Sequence, residues 1–111
     1  MKIDILNEDN GITRVVLAGR MDIEGATATD MQFSIIAGSK KKVIVDLTSV
    51  DFMASLGMRT LIVSAKSIAS KGGKMVLLGP QPGVEKVLKS SGVDTVIPIA
   101  ADLATAAGLV G

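Results

Sequence analysis

Side chains able to do chemistry are few in this sequence, and they concentrate between Val43 and Arg59. That stretch reads Val-Ile-Val-Asp-Leu-Thr-Ser-Val-Asp-Phe-Met-Ala-Ser-Leu-Gly-Met-Arg. It offers hydroxyls at Thr48, Ser49 and Ser55 and carboxylates at Asp46 and Asp51, with Asp22 a further acid upstream. A serine nucleophile needs a base beside it. The chain has no histidine, and no lysine falls in the segment, so a small hydrolase site built from Asp22, Asp46 and Ser55 lacks its base. The absence of cysteine and histidine also removes disulfides, thiol catalysis and the usual zinc ligands. No enzyme, cofactor or metal is expected. What remains is the Ser55 hydroxyl, whose plainest role is to cap a helix, although a phosphate placed there would be partly stabilised by the helix end. A phosphate on Ser55 adds about −1.5 to −2 charge to the surface.

Positioning that hydroxyl is a matter of local structure. Val43 to Leu47 is an almost continuous apolar run, as in a strand covered on both faces. A loop carrying Phe52 and Met53 should follow, and Leu56 to Ser70 has helical spacing with Leu61, Ala65 and Ile68 inward. Ser55 then reads as the helix N-cap, its oxygen accepting a first-turn N–H. The unpaired N–H groups and helix dipole there favour an anion. Gly57, with no side chain, would let another molecule's backbone come close. The plainer readings are a simple serine cap, and Phe52 and Met53 as packing residues. An exposed Phe52–Met53 pair would instead mark an interface.

The remaining elements frame this segment. Lys2 to Asn7 and Ile12 to Ala18 read as a hairpin about an Asp9-Asn10-Gly11 turn. Gly25 to Ala37 sets Ala28, Met31, Ile35 and Ile36 at helical spacing. Lys74 to Leu78 is a second buried strand, Gly83 to Ser90 a short helix, and Val96 to Ile99 a last strand whose Pro98 favours an edge. Asp102 can cap a final helix to about Leu109. The order is β-β-α-β-α-β-α-β-α, a single α/β domain over 1–111 with a mixed sheet and about four helices.

Composition closes other routes. Lys plus Arg is 12 and Asp plus Glu 11, a net charge of +1, which leaves no electrostatic footprint for nucleic acid or an anionic membrane. Lys40-Lys41-Lys42 is too short a run for a nucleic-acid tail. Only two aromatic residues occur, Phe33 and Phe52, so stacking platforms for bases are not expected. The first nine residues hold no signal-like apolar stretch, and nowhere do about 18 apolar residues follow one another. A soluble cytoplasmic protein is expected. Neither phosphate-binding glycine motif occurs, neither Gly-x-x-x-x-Gly-Lys followed by Ser or Thr nor Gly-x-Gly-x-x-Gly after a strand. Asp46 ends a buried strand where a response-regulator receiver carries its phosphoacceptor. The acidic pair after the first strand and the lysine after the last are missing, and that reading fails.

These residues meet a family. Val43-Ile44-Val45-Asp46-Leu47 followed by Val50-Asp51-Phe52-Met53-Ala54-Ser55-Leu56-Gly57 resembles the signature of STAS-domain anti-sigma factor antagonists. Leu17 to Asp22, Gly73 to Leu77 and Val84 to Gly92 extend the resemblance across essentially the whole chain. The resemblance implies a STAS-type sandwich. It also implies that Ser55 is phosphorylated by a GHKL-type kinase that is itself an anti-sigma factor, and dephosphorylated by a PP2C-type phosphatase. Asp22, Phe52, Met53, Ala54, Ser55, Leu56 and Gly57 would form the partner surface, with Asp46 bonding the loop that holds Ser55. Asp22 is equally able simply to cap the helix that follows it. Ala54 stands where the family often has Asp, and Leu56 where it often has Ser or Thr; Thr48, Ser49 and Thr60 match no family acceptor. The resemblance implies a substrate and binding module rather than an enzyme. The alternative is a non-switching STAS scaffold subunit of a signalling or transport complex.

Overall fold

The computed structural model describes residues 1–111. Strand β1 (Lys2–Asn7) pairs antiparallel with β2 (Ile12–Met21), with Lys2 opposite Ala18 and Asn7 opposite Thr13. The turn between them is a single 3-10 turn over Asp9–Gly11, where Asn10 takes the left-handed backbone that asparagine tolerates best after glycine. From β2 onward the sheet is parallel. Helix α1 (Ile23–Ser39) leads to β3 (Lys42–Met53), α2 (Ser55–Ser70) to β4 (Lys74–Leu78), and α3 (Pro82–Ser90) to β5 (Ile99–Ala100); α4 (Leu103–Val110) ends the chain. The strands lie in sequence order, β1-β2-β3-β4-β5. The expected element order and mixed α/β sheet are therefore found.

Two cores flank the sheet. Inward residues of α1, α2 and α3, among them Phe33, Ile36, Leu61, Ile68, Val84 and Leu88, pack on Val15, Leu17, Val43, Val45 and Leu77. Each large side chain fully buried there contributes about 1.5–3 kcal/mol of transfer free energy. On the other face α4 alone covers Ile12, Ile44, Val76 and Leu78 with Ala106 and Val110. Asp102 caps α4 as expected, accepting from the Thr105 N–H at 2.8 Å.

Four expectations need correction. β3 does not end near Leu47 but runs to Met53, so Phe52 and Met53 are strand residues. It stays paired because β3 bulges twice, carrying one residue more than β2 between the Val16 and Ala18 pairs and again between the Gly19 and Arg20 pairs, which aligns Arg20 with Phe52 and Met21 with Met53. Gly19, at φ +108°, supplies backbone that a side chain would strain. In α1 the buried face is Ala26, Thr29, Phe33, Ile36 and Ala37, whereas Ala28, Met31 and Ile35 face solvent. The helix is apolar on both sides, so spacing could not choose between them; the bulk of Phe33 did. The last strand is shorter and later than expected, because Val96 and Ile97 fold back on Val93 in a tight turn. Its edge position holds, and the Pro98 carbonyl still accepts from Leu77 N–H at 2.9 Å. Finally, α2 is capped by Ala54, not by Ser55.

Candidate functional site

Two neighbouring parallel strands end together, and both turn directly into helices. Met21 closes β2 opposite Met53 at the close of β3. One residue later each chain segment enters a helix, through Asp22 into α1 and through Ala54 into α2. The two helix N-termini thus stand side by side at the carboxyl edge of the sheet, the usual place for a site in an open α/β fold.

Their caps differ. The Asp22 carboxylate accepts from the Gly25 N–H at 2.8 Å and satisfies the first turn of α1. That bond, with lesser help from Arg20, holds the Asp22 carboxyl below its ordinary value. At α2 the cap residue is alanine and no side chain accepts from the first turn. The first intrahelical bond of α2 runs from Met58 N–H to the Ala54 carbonyl. The N–H groups of Ser55, Leu56 and Gly57 precede it and lack an acceptor within the helix. Ser55 is exposed at the first helical position, not the cap, and its hydroxyl serves no backbone group. No acid lies in the first turn to compete for the dipole.

Around Ser55 lies an apolar rim. Ile23 is 69% exposed and Phe52 39%, and Leu56 is exposed beside them. Asp22, Ile23, Glu24, Phe52 and Ala54 line a shallow depression of about 380 Å³. Arg20 lies 4.3 Å from the Phe52 ring centroid and makes an exposed ion pair with Asp22, Nε to Oδ2 at 3.5 Å. The guanidinium on the ring face fixes the orientation of Phe52.

Among the residues expected at a partner surface, the structure gathers Asp22, Phe52, Ala54, Ser55 and Leu56 on one exposed face. It withdraws Met53 and Gly57. Met53 is 4% exposed and belongs to the main core. A Cβ on Gly57 would sit 2.5 Å from Met21 Cγ and 2.9 Å from the Met21 carbonyl oxygen. Glycine is needed there for the chain's own packing, not for another molecule's approach. Sequence reasoning missed Ile23 and the Arg20–Phe52 stack. The cap at Asp22 was open to sequence reading, but a cap alone does not say which side of the first turn is buried, so it left Ile23 unplaced. The Arg20–Phe52 contact depends on the bulges in β3 and had no local signal.

Asp46 also proves different from its expected role. Its side chain lies on the α4 face of the sheet, next in line to Ile44 of that core, whereas α2 packs on the opposite face. Oδ2 accepts from Arg14 Nη2 at 2.7 Å and Nε at 3.1 Å, and Oδ1 from Thr48 Oγ1 at 2.6 Å and N at 3.0 Å. Burial alone would push this carboxyl up, but the Thr48 and Arg14 bonds bring it below the ordinary value. Asp46 therefore pins β2 to β3 and the bend at Thr48, and bonds nothing near Ser55. Its support of the Ser55 loop is at most indirect, through the course of β3.

No group of His, Cys, Asp and Glu side chains converges as a metal site, and no helix is long and apolar enough to cross a membrane. The STAS domain family pattern matches residues 5–106. The anti-sigma F factor antagonist of Paenibacillus polymyxa is 27% identical over 96 residues, spanning 85% of this chain and 82% of that protein. The unphosphorylated form of the anti-sigma factor antagonist SpoIIAA superposes with a TM-score of 0.77 at 20% identity, over 91% of this chain and 90% of that one. A sulfate transporter family protein from Wolinella succinogenes does so with a TM-score of 0.76 at 16% identity, over 90% and 84%. These two structures share the fold, and the sequence pattern spans nearly all of it. The chain belongs to the STAS domain family.

Proposed function

We propose that this chain is a phosphorylation-switched anti-sigma factor antagonist, which binds an anti-sigma factor with serine-kinase activity while Ser55 is unmodified and releases it once Ser55 is phosphorylated. The observation that carries this reading is the state of Ser55: an exposed, unengaged hydroxyl at an uncapped helix N-terminus, ringed by Ile23, Phe52 and Leu56. Likeness to the Paenibacillus polymyxa antagonist supports the class of partner.

In the unmodified state the apolar rim and the small Ala54 dock against the partner, and the Ser55 hydroxyl lies where a partner's bound nucleotide can reach it. The kinase then transfers the γ-phosphoryl of ATP to Ser55 Oγ; the hydroxyl proton leaves to the kinase's base, and ADP departs. The chemistry belongs to the partner, and this chain is the substrate. The dianion so formed can draw on the free N–H groups of Ser55, Leu56 and Gly57 when in water. At a closed interface it would have to be desolvated beside Asp22 and Glu24, and the complex weakens. A PP2C-type phosphatase resets the switch.

Incubation with a cognate kinase and ATP, followed by phosphopeptide mapping, tests the assignment. Label on Ser55 alone is expected; label on Thr48, Ser49 or Thr60 with Ser55 untouched would sink it.

A further inference from the structure

Helix α1 is apolar on the face it turns to water as well as on the face it buries. Met31 is 74% exposed and Ile35 63%, and with Ile23 they are the three most exposed large apolar side chains of the molecule. Met31 stands about 200° around the helix from the buried Phe33. A helix that is hydrophobic all round is normally covered all round. α1, however, is covered only by the sheet and α2.

Five of the exposed residues form one ridge at four-residue spacing: Ile23, Thr27, Met31, Ile35, Ser39. Met31 is the middle residue of the helix, which runs from Ile23 to Ser39. The ridge is self-complementary when a second copy lies antiparallel across a two-fold axis at Met31. Ile35 then opposes Thr27 and Met31 meets its own copy, while Ile23 and Ser39, each about 80° around the helix from Met31, lie at the margins of the contact. The two hydroxyls on the ridge already donate within their own helix, Thr27 Oγ1 to the Ile23 carbonyl at 2.8 Å and Ser39 Oγ to the Ile35 carbonyl at 2.7 Å. Burying them leaves no donor unsatisfied.

Charge selects the same arrangement. The only charged residues of α1 are Glu24 and Asp30, and Lys40 and Lys41 follow its end, both exposed. Lys42 and Lys71 are engaged with the Asn10 and Ala37 carbonyls. In the antiparallel pair Glu24 of one copy lies opposite Gly38 of the other, beside its free Lys40 and Lys41. A parallel pair would set Glu24 against Glu24. We infer that the outer face of α1 is a homodimer interface, with two copies crossing antiparallel at Met31. An isologous contact of this kind closes at two subunits. It shares Ile23 and Glu24 with the Ser55 face, so dimer and partner complex would compete there, but its tests read self-association and need no partner.

The chain has no cysteine, so one introduced thiol reports one position. Under mild oxidation, Met31→Cys should form a disulfide-linked dimer at least about tenfold faster than Lys66→Cys, an exposed position on α2. Equal rates would overturn the two-fold axis. Sedimentation velocity over rising concentration should show a monomer–dimer equilibrium for the unaltered chain. Met31→Lys, at a solvent-facing position that leaves the fold intact by circular dichroism, should raise the dimer's Kd about tenfold or more. A chain monomeric at millimolar concentration, or a Met31→Lys variant that dimerises normally, overturns the proposal. Glu24→Lys should weaken the dimer, and adding Lys40→Glu and Lys41→Glu to it should restore it; failure to restore refutes the antiparallel register.

Discussion

The Ala54 N–H donates to the Met21 carbonyl at 2.9 Å, tying the start of α2 to the last residue of β2 rather than to its own strand. Through this bond the helix carrying Ser55 is held against the entrance of α1, with Gly57 seated over Met21. The exposed hydroxyl and the exposed Ile23 belong to different segments, yet they share one face because of it.

The uncapped first turn of α2 sets the first prediction. Ala54→Asp places an acceptor at the cap and a negative charge at the favourable helix end, and should raise stability by about 0.5–2 kcal/mol in chemical denaturation. Aspartate is also what the family often carries at this position. A variant no more stable than the parent would mean that water already satisfies these N–H groups fully.

Ser55 separates stability from binding. Because its hydroxyl makes no cap bond, Ser55→Ala should change unfolding free energy by no more than roughly 0.5 kcal/mol and still bind the partner kinase. Ser55→Asp should stay folded and lose affinity about tenfold or more, read by calorimetric titration. If both bind like the parent, Ser55 lies outside the interface.

The rim should matter more for affinity than for stability. Phe52 and Leu56 are 39% and 36% exposed, so truncating either to alanine should cost only about 1 kcal/mol of stability, less than at a fully buried position. Each should weaken partner binding by about 1–2 kcal/mol if it anchors the contact. Unchanged affinity in both would place the partner elsewhere on the molecule.

Gly57→Ala tests the packing beneath the site. Its Cβ would fall within 3.0 Å of Met21 Cγ, the Met21 carbonyl and Met53 Sδ, and the carbonyl cannot move without breaking its bond to Ala54. A loss of about 1–3 kcal/mol is expected on thermal unfolding. A neutral result would show that α2 can shift outward freely.

Acid stability should report Asp46. Its folded-state carboxyl lies below the ordinary 3.8, so the unfolded chain binds more protons as pH falls. The stabilisation is complete above the unfolded value and is lost as pH drops through the folded one. Stability should therefore begin to fall below about pH 4, with no histidine to add a transition nearer neutrality. Asp46→Asn should cost about 1–3 kcal/mol at pH 7, by weakening the Arg14 and Thr48 bonds, and should flatten the acid limb. Equal acid limbs in parent and variant would assign that limb to other carboxylates.

Much of this protein was legible in the chain itself. The almost continuous apolar run at Val43–Leu47 and the continuous one at Met75–Leu78 specify strands buried on two faces, and Leu61, Ala65 and Ile68 fix the inward side of α2, because backbone geometry converts spacing directly into direction. The family-like segment around Ser55 could be found without coordinates, since its residues are contiguous. Tertiary structure decided the rest. Whether Phe52 and Met53 form a loop or a strand depended on β2, a different segment that supplies their pairing partners across two bulges in β3. Which side of α1 is buried was decided by packing on the sheet and α2, where Phe33 joins the main core, since both sides are apolar. The cap passed from Ser55 to Ala54 because the Met21 carbonyl fixes where β3 ends and α2 begins. Asp46 went to the face of Arg14, away from Ser55, because alternation along a strand is set by register with its neighbours. Spacing along one segment is a local property; the partner that completes it is chosen by the packing of the whole sheet.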